Sequence, residues 1–360
     1  MPAAILLPTA SNVSLVAAAL RAGKVAAMPT ETVYGLAGNA FDPAALAQIF
    51  AVKERPTFDP LICHVPVPAN DQAWTPHLVA QGLLAAEALS PLAQQHVERL
   101  ARAYWPGPLT MVLPKGPRVP DLATSGLPTV GIRAPRHVVA QALLREVGVP
   151  LAAPSANRFG RISPTMAAHV AAELGERIEF ILDGGACEIG VESTVLLVEP
   201  DGRLRLLRPG AISAAEIAAA TGAKVLAANA AGSESATPLP SPGLLASHYA
   251  PQKPLSLLPC PLVEHAPAQL AALAQRGRLG VMVASGDPAA LHARFPDNAE
   301  VSVYALSRAG DLTEAARQLF STLRACDDAT EVDEIWAETM PGDTGLAHAI
   351  NDRLRKASHR

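Results

Sequence analysis

The period of apolar positions changes repeatedly along the first two hundred residues. Short apolar runs alternate with segments of helical spacing, a pattern that predicts layered α/β structure. Leu15 to Ala22 reads as a helix, with Asn12 and Ser14 as candidate caps and Gly23 behind it. Lys24 to Met28 reads as a buried strand ending at Pro29. Asp42-Pro43 makes a cap and first turn, and Leu46, Ile49, Phe50 and Lys53 share one face of the helix that follows. Strands are predicted over Pro60–Val65, Leu109–Leu113, Thr129–Arg133, Val149–Ala153, Phe180–Leu182, Glu192–Val198 and Arg203–Leu207. Helices are predicted from Ser90-Pro91 towards Tyr104, over Arg136–Val147, and from Ser163-Pro164 to near Gly175. Ser213 and Glu216 have capping-box spacing, and Gly222 stands where that helix should stop.

Beyond Gly222 the pattern breaks. Ala228 to Pro242 is rich in Ala, Ser, Thr, Gly and Pro, has almost no large apolar residue, and reads as a linker. Strand-like runs then return at Leu279–Ala284, Val301–Leu306 and Glu334–Ala337, separated by helical segments such as Leu312–Arg324 and Gly345–Lys356. That spacing predicts a small second α/β domain with a parallel sheet. The expected organisation is a first domain over residues 1–222, a linker over 223–254 and a second domain over 255–360.

Composition narrows the function classes. With 49% hydrophobic and 17% charged residues, the chain of 360 residues can bury a real core. The net charge of -4, from 29 basic and 33 acidic residues, shows no global basic field for nucleic acid, although a local basic groove stays open. Four scattered cysteines without a CxxC pair fit reduced thiols in a cytoplasmic protein better than a zinc site or a disulfide framework. The first ten residues lack signal-peptide character, and no apolar run is long enough to span a bilayer.

The usual nucleotide and hydrolase signatures, GxxxxGK, GxGxxG, HExxH and GxSxG, are missing. Polar clusters instead sit at the ends of predicted strands, where open α/β sheets place ligands. Thr30, Thr32 and Tyr34 lie on a tight turn after the first buried strand. Lys53 and Arg55 leave a helix and lead through Asp59 to a strand holding His64; the two cations are close enough to clamp one phosphate chain. Ala153-Pro154-Ser155-Ala156-Asn157 follows another strand, and Ser163 is expected to open a helix whose N-terminus favours anions. Trp105–Thr110, Asp183-Gly184-Gly185, Glu192-Ser193-Thr194 and Arg208-Pro209-Gly210 complete the set. Each cluster alone reads equally well as turn or capping chemistry. Their joint order along the chain carries the weight.

That order resembles the YrdC-type threonylcarbamoyl-AMP synthases. The matching stretches are PTETVYGLAGNA, KERPTFDPLICHV, YWPGPLTMVLP, TVGIRAP, APSANRFGRISPT, DGG, GVESTV and LLRPG, which together run roughly from Ala10 to Ser213. Ser241-Pro242-Gly243 and His248-Tyr249-Ala250-Pro251 resemble the linker motif of the longer, two-domain members, and Gly345 to Arg353 resembles the end of their second domain. The resemblance implies a YrdC-like twisted mixed sheet with flanking helices and a ligand groove, followed by a smaller Rossmann-like α/β domain. It implies that L-threonine, bicarbonate and ATP give threonylcarbamoyl-AMP and pyrophosphate, with Mg²⁺ arriving on the ATP and no protein metal cage. The product would serve partner proteins that transfer the threonylcarbamoyl group to tRNA, and direct tRNA binding is possible.

Carried over by position, Thr32, His64, Arg133, Ala153 and Ser193 match threonine-binding positions. Arg55, Asp59, Thr129, Ser155, Ser163, Arg208 and Tyr249 match ATP-binding positions. Lys53, Arg55, Ser155 and Asn157 form the catalytic Lys-x-Arg and Ser-x-Asn pairs, Thr30 and Tyr34 would line the groove floor, and Tyr249 would close over ATP as a lid. Two positions depart from the pattern. Glu54 replaces a small or neutral residue, and Asp59 stands where Asn is usual; an acid there accepts from ribose or adenine and repels phosphate. The rival readings are a non-catalytic YrdC-like protein that binds tRNA or double-stranded RNA, and a carbamoyl-transfer enzyme of hydrogenase maturation. Thr32, His64, Arg133 and Ser193 together favour the synthase over the first. Missing zinc-finger and acylphosphatase segments count against the second.

Overall fold

The computed structural model describes residues 2–68, 72–227 and 248–359. The predicted linker Ala228–Pro242 and the Ser241-Pro242-Gly243 motif lie outside the described residues. The described residues fall into two compact units. The first takes those within Met1–Phe159, Pro164–Glu188 and Glu192–Leu245, and the second those within Gly160–Ser163, Ile189–Val191 and Ala246–Arg360.

Among the described residues, the first unit is built on one sheet of eleven strands. They are β1 (Ala4–Leu6), β2 (Ala26–Met28), β3 (Gly35–Asn39), β4 (Ile62–His64), β5 (Leu109–Pro114), β6 (Thr129–Arg133), β7 (Leu151–Ala152), β8 (Phe180–Leu182), β9 (Thr194–Val198), β10 (Leu204–Arg208) and β11 (Val225–Ala227). Their order across the sheet is β1-β8-β2-β3-β7-β4-β6-β5-β9-β10-β11. The sheet is mixed: β4 runs parallel to β6 but antiparallel to β7, and β5 runs antiparallel to β6 but parallel to β9. The expected fold class is thus observed.

Helices cover both faces. Helix α1 (Ala10–Arg21) packs on α6 (Val138–Val147), where Val13, Val16, Ala17 and Leu20 meet Val139, Leu143 and Leu144. Leu46 and Ile49 of α2 (Pro43–Lys53), Leu78 of α3 (Trp74–Ala80), Val97 and Leu100 of α4 (Pro91–Tyr104), and Ala123 of α5 (Asp121–Thr124) build a second cluster. Val170 of α7 (Ala167–Leu174) and Ile217 of α8 (Ala214–Thr221) join them. Alternation along β2 shows that the clusters lie on opposite faces, because Ala26 and Met28 join the first and Ala27 the second.

Local chemistry sets the helix ends. Asp42 accepts from the Ala44 amide at 2.9 Å with Pro43 in the first turn, and Ser90 caps α4 in the same way ahead of Pro91. The Ser213–Glu216 capping box forms in full, and Gly222 ends α8 with φ +75°. Two helix starts differ most from the sequence reading. Helix α1 starts five residues early because Thr9, not Asn12 or Ser14, accepts from the Asn12 amide, while the Asn12 side chain donates to the Leu7 carbonyl. Helix α7 starts at Ala167, so Ser163 does not cap it. The Pro164 carbonyl accepts from the Tyr34 amide at 2.8 Å, which ties that stretch to the entrance of β3.

The second unit has a four-stranded, wholly parallel sheet in the order β12-β15-β13-β14, as its strand spacing predicts. The strands are β12 (Leu255–Leu257), β13 (Leu279–Ser285), β14 (Val301–Ser307) and β15 (Glu334–Ala337). They alternate with α9 (Pro267–Ala274), α10 (Pro288–His292), α11 (Leu312–Asp328) and α12 (Gly345–Ser358). Two short upstream pieces belong to this unit. The Gly160 carbonyl accepts from the Ala250 amide at 2.8 Å, Arg161 pairs with Asp327 at 3.3 Å, and Arg324 donates to the Ile162 carbonyl. At Gly190 the φ of +80° and the closeness of the Arg317 backbone, 2.4 Å from where a Cβ would sit, leave room only for glycine.

No helix among the described residues is long and apolar enough to cross a membrane. Just past β15, the buried Glu338 carboxylate accepts from the Leu262 amide and, at 2.7 Å, from the Ala284 amide, pinning the loop after β12 to β13. Glu338→Ala would leave both donors buried without a partner, and we expect it to cost roughly 2–5 kcal/mol by urea unfolding. A loss below about 1 kcal/mol would show that the carboxylate is not what holds the loop.

Candidate active site

The strand ends of the first unit gather most of the sequence-predicted residues. In the parallel pair β4–β6, His64 stands level with Arg133, and His64 is also level with Leu151 of β7. Strand β7 leads directly into Ala153 and the Ser155–Asn157 loop. Gly35 bridges to Ser155, and the Tyr34 carbonyl accepts from the Ala156 amide at 2.8 Å. The Thr30–Tyr34 turn and the Ser-x-Asn loop are therefore held to each other through the backbone.

Lys53 fixes the loop from the other side. Its Nζ donates to the carbonyls of Ser155 and Asn157, both at 2.5 Å, and its own carbonyl accepts from the Phe159 amide. The sequence reading gave Lys53 to a phosphate chain. In the structure its amine is fully buried and spent on shaping the loop. Burial and then the neighbouring Arg55 charge push that amine well below its ordinary pKa, against the opposite pull of Asp59 and Glu173.

Arg55 is likewise engaged. Nε donates to the Asp59 carbonyl at 3.1 Å, Nη2 donates to the Pro60 carbonyl at 2.8 Å, and Nη2 lies 2.9 Å from Asp59 Oδ2. The Asp59 carboxylate is wholly buried, and Nη2 reaches it off the hydrogen-bond axis, so that contact is chiefly Coulombic. Burial raises its pKa above the usual carboxylate range while Arg55, Lys53 and Arg208 oppose the rise. Arg55 alone touches the acid, and the charges of Lys53 and Arg208 act on it from further away. The two departures from the family pattern now separate. Asp59 is the partner of Arg55, whereas Glu54 ends α2 with φ +55°, projects to the surface and pairs with Arg177 at 2.6 Å.

A second corner forms around Arg133. Nε donates to the Gly107 carbonyl at 3.1 Å, Nη1 donates to Thr32 Oγ1 at 2.7 Å, and Nη2 lies 2.7 Å from Glu31 Oε1. Burial alone would raise the Glu31 carboxyl. The Arg133 charge and contact, with the backbone amides of Glu31 and Arg136, outweigh it and hold the carboxyl below its usual range. Burial, reinforced by Arg133, brings His64 down to about 3, so the imidazole is neutral at physiological pH. Ser193 Oγ accepts from Arg208 Nη2 at 3.2 Å and shares a hydrogen with Thr110 Oγ1 at 2.7 Å, and the Ser193 carbonyl accepts from Arg208 Nε at 3.1 Å.

Other predicted residues stand elsewhere or act differently. The Tyr34 hydroxyl donates to the Gly185 carbonyl at 2.7 Å and accepts from the Gly184 amide at 3.1 Å, so it braces the Asp183-Gly184-Gly185 turn. Thr129 opens β6, four residues and about 13 Å of strand from Arg133. Ser163 and Tyr249 fall in the second unit, where Tyr249 packs against Phe320 with ring centroids 5.5 Å apart. Glu31 has no role in the sequence reading, and the Trp105–Thr110 cluster is singled out there without a role for the Thr110 hydroxyl or the Gly107 carbonyl. An acid between two hydroxyl residues in a turn after a buried strand was the available signal for Glu31; a carbonyl leaves no trace in a sequence.

A mixed sheet whose strand ends bury a basic, hydroxyl-rich and histidine-bearing cluster, joined to a small parallel α/β unit, defines a two-domain protein of the Sua5–YciO–YrdC class. Residues 18–210 match the family model of that name, described as telomere recombination, and residues 212–359 match the threonylcarbamoyl-AMP synthase C-terminal domain. The threonylcarbamoyl-AMP synthase of Bacillus subtilis (strain 168) is 38% identical over 96% of this chain and 93% of its own. That of Pyrococcus abyssi is 37% identical over 96% and 94%. The crystal structure of P. abyssi Sua5 complexed with L-threonine superposes with a TM-score of 0.81 at 36% identity, covering 97% of this chain and 94% of that one. A P. abyssi Sua5 variant with a histidine and a tyrosine changed to alanine gives 0.82 at 34% identity, covering 99% and 96%. The chain belongs to the threonylcarbamoyl-AMP synthase family and is an enzyme of that kind.

The pKa of His64 gives a stability test. With the folded value near 3 and the unfolded value near 6.5, the unfolded chain takes the proton first. Stability is then fully present above about pH 6.5 and falls as pH drops towards 3. We expect wild type to lose stability relative to His64→Phe between pH 6.5 and 4.5, read by urea midpoints. Parallel curves would place a proton on His64 in the folded state.

Proposed function

We propose that the enzyme condenses L-threonine, bicarbonate and ATP into threonylcarbamoyl-AMP with release of pyrophosphate, for threonylcarbamoyl modification of an adenosine in tRNA. One observation carries the chemistry: Arg55, 2.9 Å from the buried Asp59 carboxylate, closely follows the Lys53 that holds the Ser155–Asn157 loop, in the same unit as the Arg133–Thr32–His64 corner. Family membership and the threonine bound in P. abyssi Sua5 support the identity of the amino acid.

In this scheme the threonine amine and bicarbonate form a carbamate with loss of water. A carbamate oxygen attacks the α-phosphorus of ATP, and the bond to the β-phosphate oxygen breaks to release pyrophosphate. Thr32, His64, Arg133, Ala153 and Ser193 hold threonine. Neutral His64 avoids adding a second cation beside Arg133. Arg55 and Arg208 stabilise phosphate charge, with Arg55 exchanging Asp59 for the nucleotide, while Thr129 and Ser155 complete the ATP site within the first unit and Ser163 keeps its ATP assignment on the resemblance alone. Lys53 acts through the Ser155–Asn157 loop whose carbonyls it holds. Mg²⁺ would enter as part of the ATP substrate and would supply charge neutralisation on its phosphates. The lid role of Tyr249 rests on the resemblance of the His248-Tyr249-Ala250-Pro251 motif alone.

Pyrophosphate release should require threonine and bicarbonate together and yield a threonine-derived adenylate. Release without either one, or none in the complete mixture with tRNA binding retained, would overturn the synthase scheme; the latter would favour an RNA-binding module. Arg55→Ala should lower kcat/KM for ATP by about a hundredfold or more in a protein that remains folded. An unfolded variant would assign Arg55 a structural role instead.

A further inference from the structure

Thr30, Glu31 and Thr32 are consecutive, buried, and all engaged around one guanidinium. The polarity of the two hydroxyls is determined. Thr30 Oγ1 lies 2.6 Å from the Val33 carbonyl, which can only accept, so the single Thr30 hydroxyl hydrogen goes there. The Thr32 hydroxyl, 2.9 Å from Thr30 Oγ1, therefore donates to Thr30 and accepts from Arg133 Nη1. Glu31 takes the neighbouring Nη2, and the Gly107 carbonyl takes Nε. The Gly107 carbonyl and the Thr32 hydroxyl thus fix the plane of the guanidinium through Nε and Nη1, while the Glu31 carboxylate meets Nη2 off the hydrogen-bond axis and acts on it chiefly by charge.

Of these partners only Glu31 carries charge, and it is almost fully buried at 1% exposure. Thr32 and Gly107 can orient Arg133, but neither offsets the cost of burying its cation. Glu31 supplies that offset.

We propose that Glu31 is a positioning residue for the amino-acid substrate: with Thr30 and Thr32 it holds Arg133 in the orientation that receives the substrate, without itself joining the reaction. This rests on the threonine site proposed above, so Arg133→Ala is measured alongside. Glu31→Ala removes both the charge and the side chain beside the guanidinium, whereas Glu31→Gln keeps the shape and removes the charge.

The test is steady-state kinetics of pyrophosphate release with threonine and ATP varied separately, together with thermal melting. Glu31→Ala should raise KM for threonine about tenfold or more while KM for ATP stays within about twofold, and Glu31→Gln, which loses the charge but keeps the shape, should show the same split to a smaller extent. If Glu31→Ala does not fold, Glu31→Asp, which draws the carboxylate back by one methylene, replaces it with the same expected split. An unchanged threonine KM in Glu31→Ala beside a raised one in Arg133→Ala would overturn the proposal. So would equal rises in both KM values that track a loss of melting temperature. If Arg133→Ala also leaves threonine KM unchanged, the threonine assignment of this corner is what fails. Positioning is then read from melting of Glu31→Gln, Arg133→Met and the double variant: additive shifts overturn it, and non-additive shifts retain it.

Discussion

The active region depends on placing cations where water cannot reach them. A buried cation has to be answered by fixed dipoles or by an acid, and each answer constrains the chain that supplies it. Lys53 is answered by two carbonyls, and so the loop from Ser155 to Asn157 takes the path that brings both to one nitrogen. Arg55 is answered by Asp59 and two carbonyls from the approach to β4, and Arg133 by Glu31, Thr32 and Gly107. The loops of the site are shaped around their own basic residues.

This arrangement explains how a chain with an unremarkable overall charge can serve anionic chemistry. Arg55 pairs with Asp59, on which the charges of Lys53 and Arg208 also act, while Arg133 is balanced by Glu31 beside a neutral histidine. The two corners differ in kind, one with an excess of basic groups and the other close to neutral. In the proposed reaction the first suits a triphosphate and the second a single amino acid.

Much of the fold was legible because its signals are local. The β6 and β15 spans, the Asp42-Pro43 and Ser90-Pro91 starts and the Ser213–Glu216 box all appear where spacing puts them. The failures share a cause. Ser163-Pro164 has the form of a helix start, yet a tertiary hydrogen bond from Tyr34 to the Pro164 carbonyl holds the segment extended, and α7 waits until Ala167. In the site, residue types were readable but their partners were not. Lys53 and Arg55 looked alike as phosphate clamps until the bonds of Lys53 to the Ser155 and Asn157 carbonyls appeared, and Glu31 was passed over because its importance lies in Arg133, a hundred positions away.

Gly160–Ser163 and Ile189–Val191 are grouped with the second unit although both lie within the region that matches the first family domain. The boundary between residues 210 and 212 is thus a seam of ancestry and not of architecture. A fragment beginning at that seam would present Asp327 without Arg161 and Ala250 without the Gly160 carbonyl, so the smaller unit borrows part of its surface from chain that precedes it by nearly a hundred residues. Duplicating, fusing or exchanging the C-terminal domain by recombination at the seam would carry the genetic module without its complete physical one.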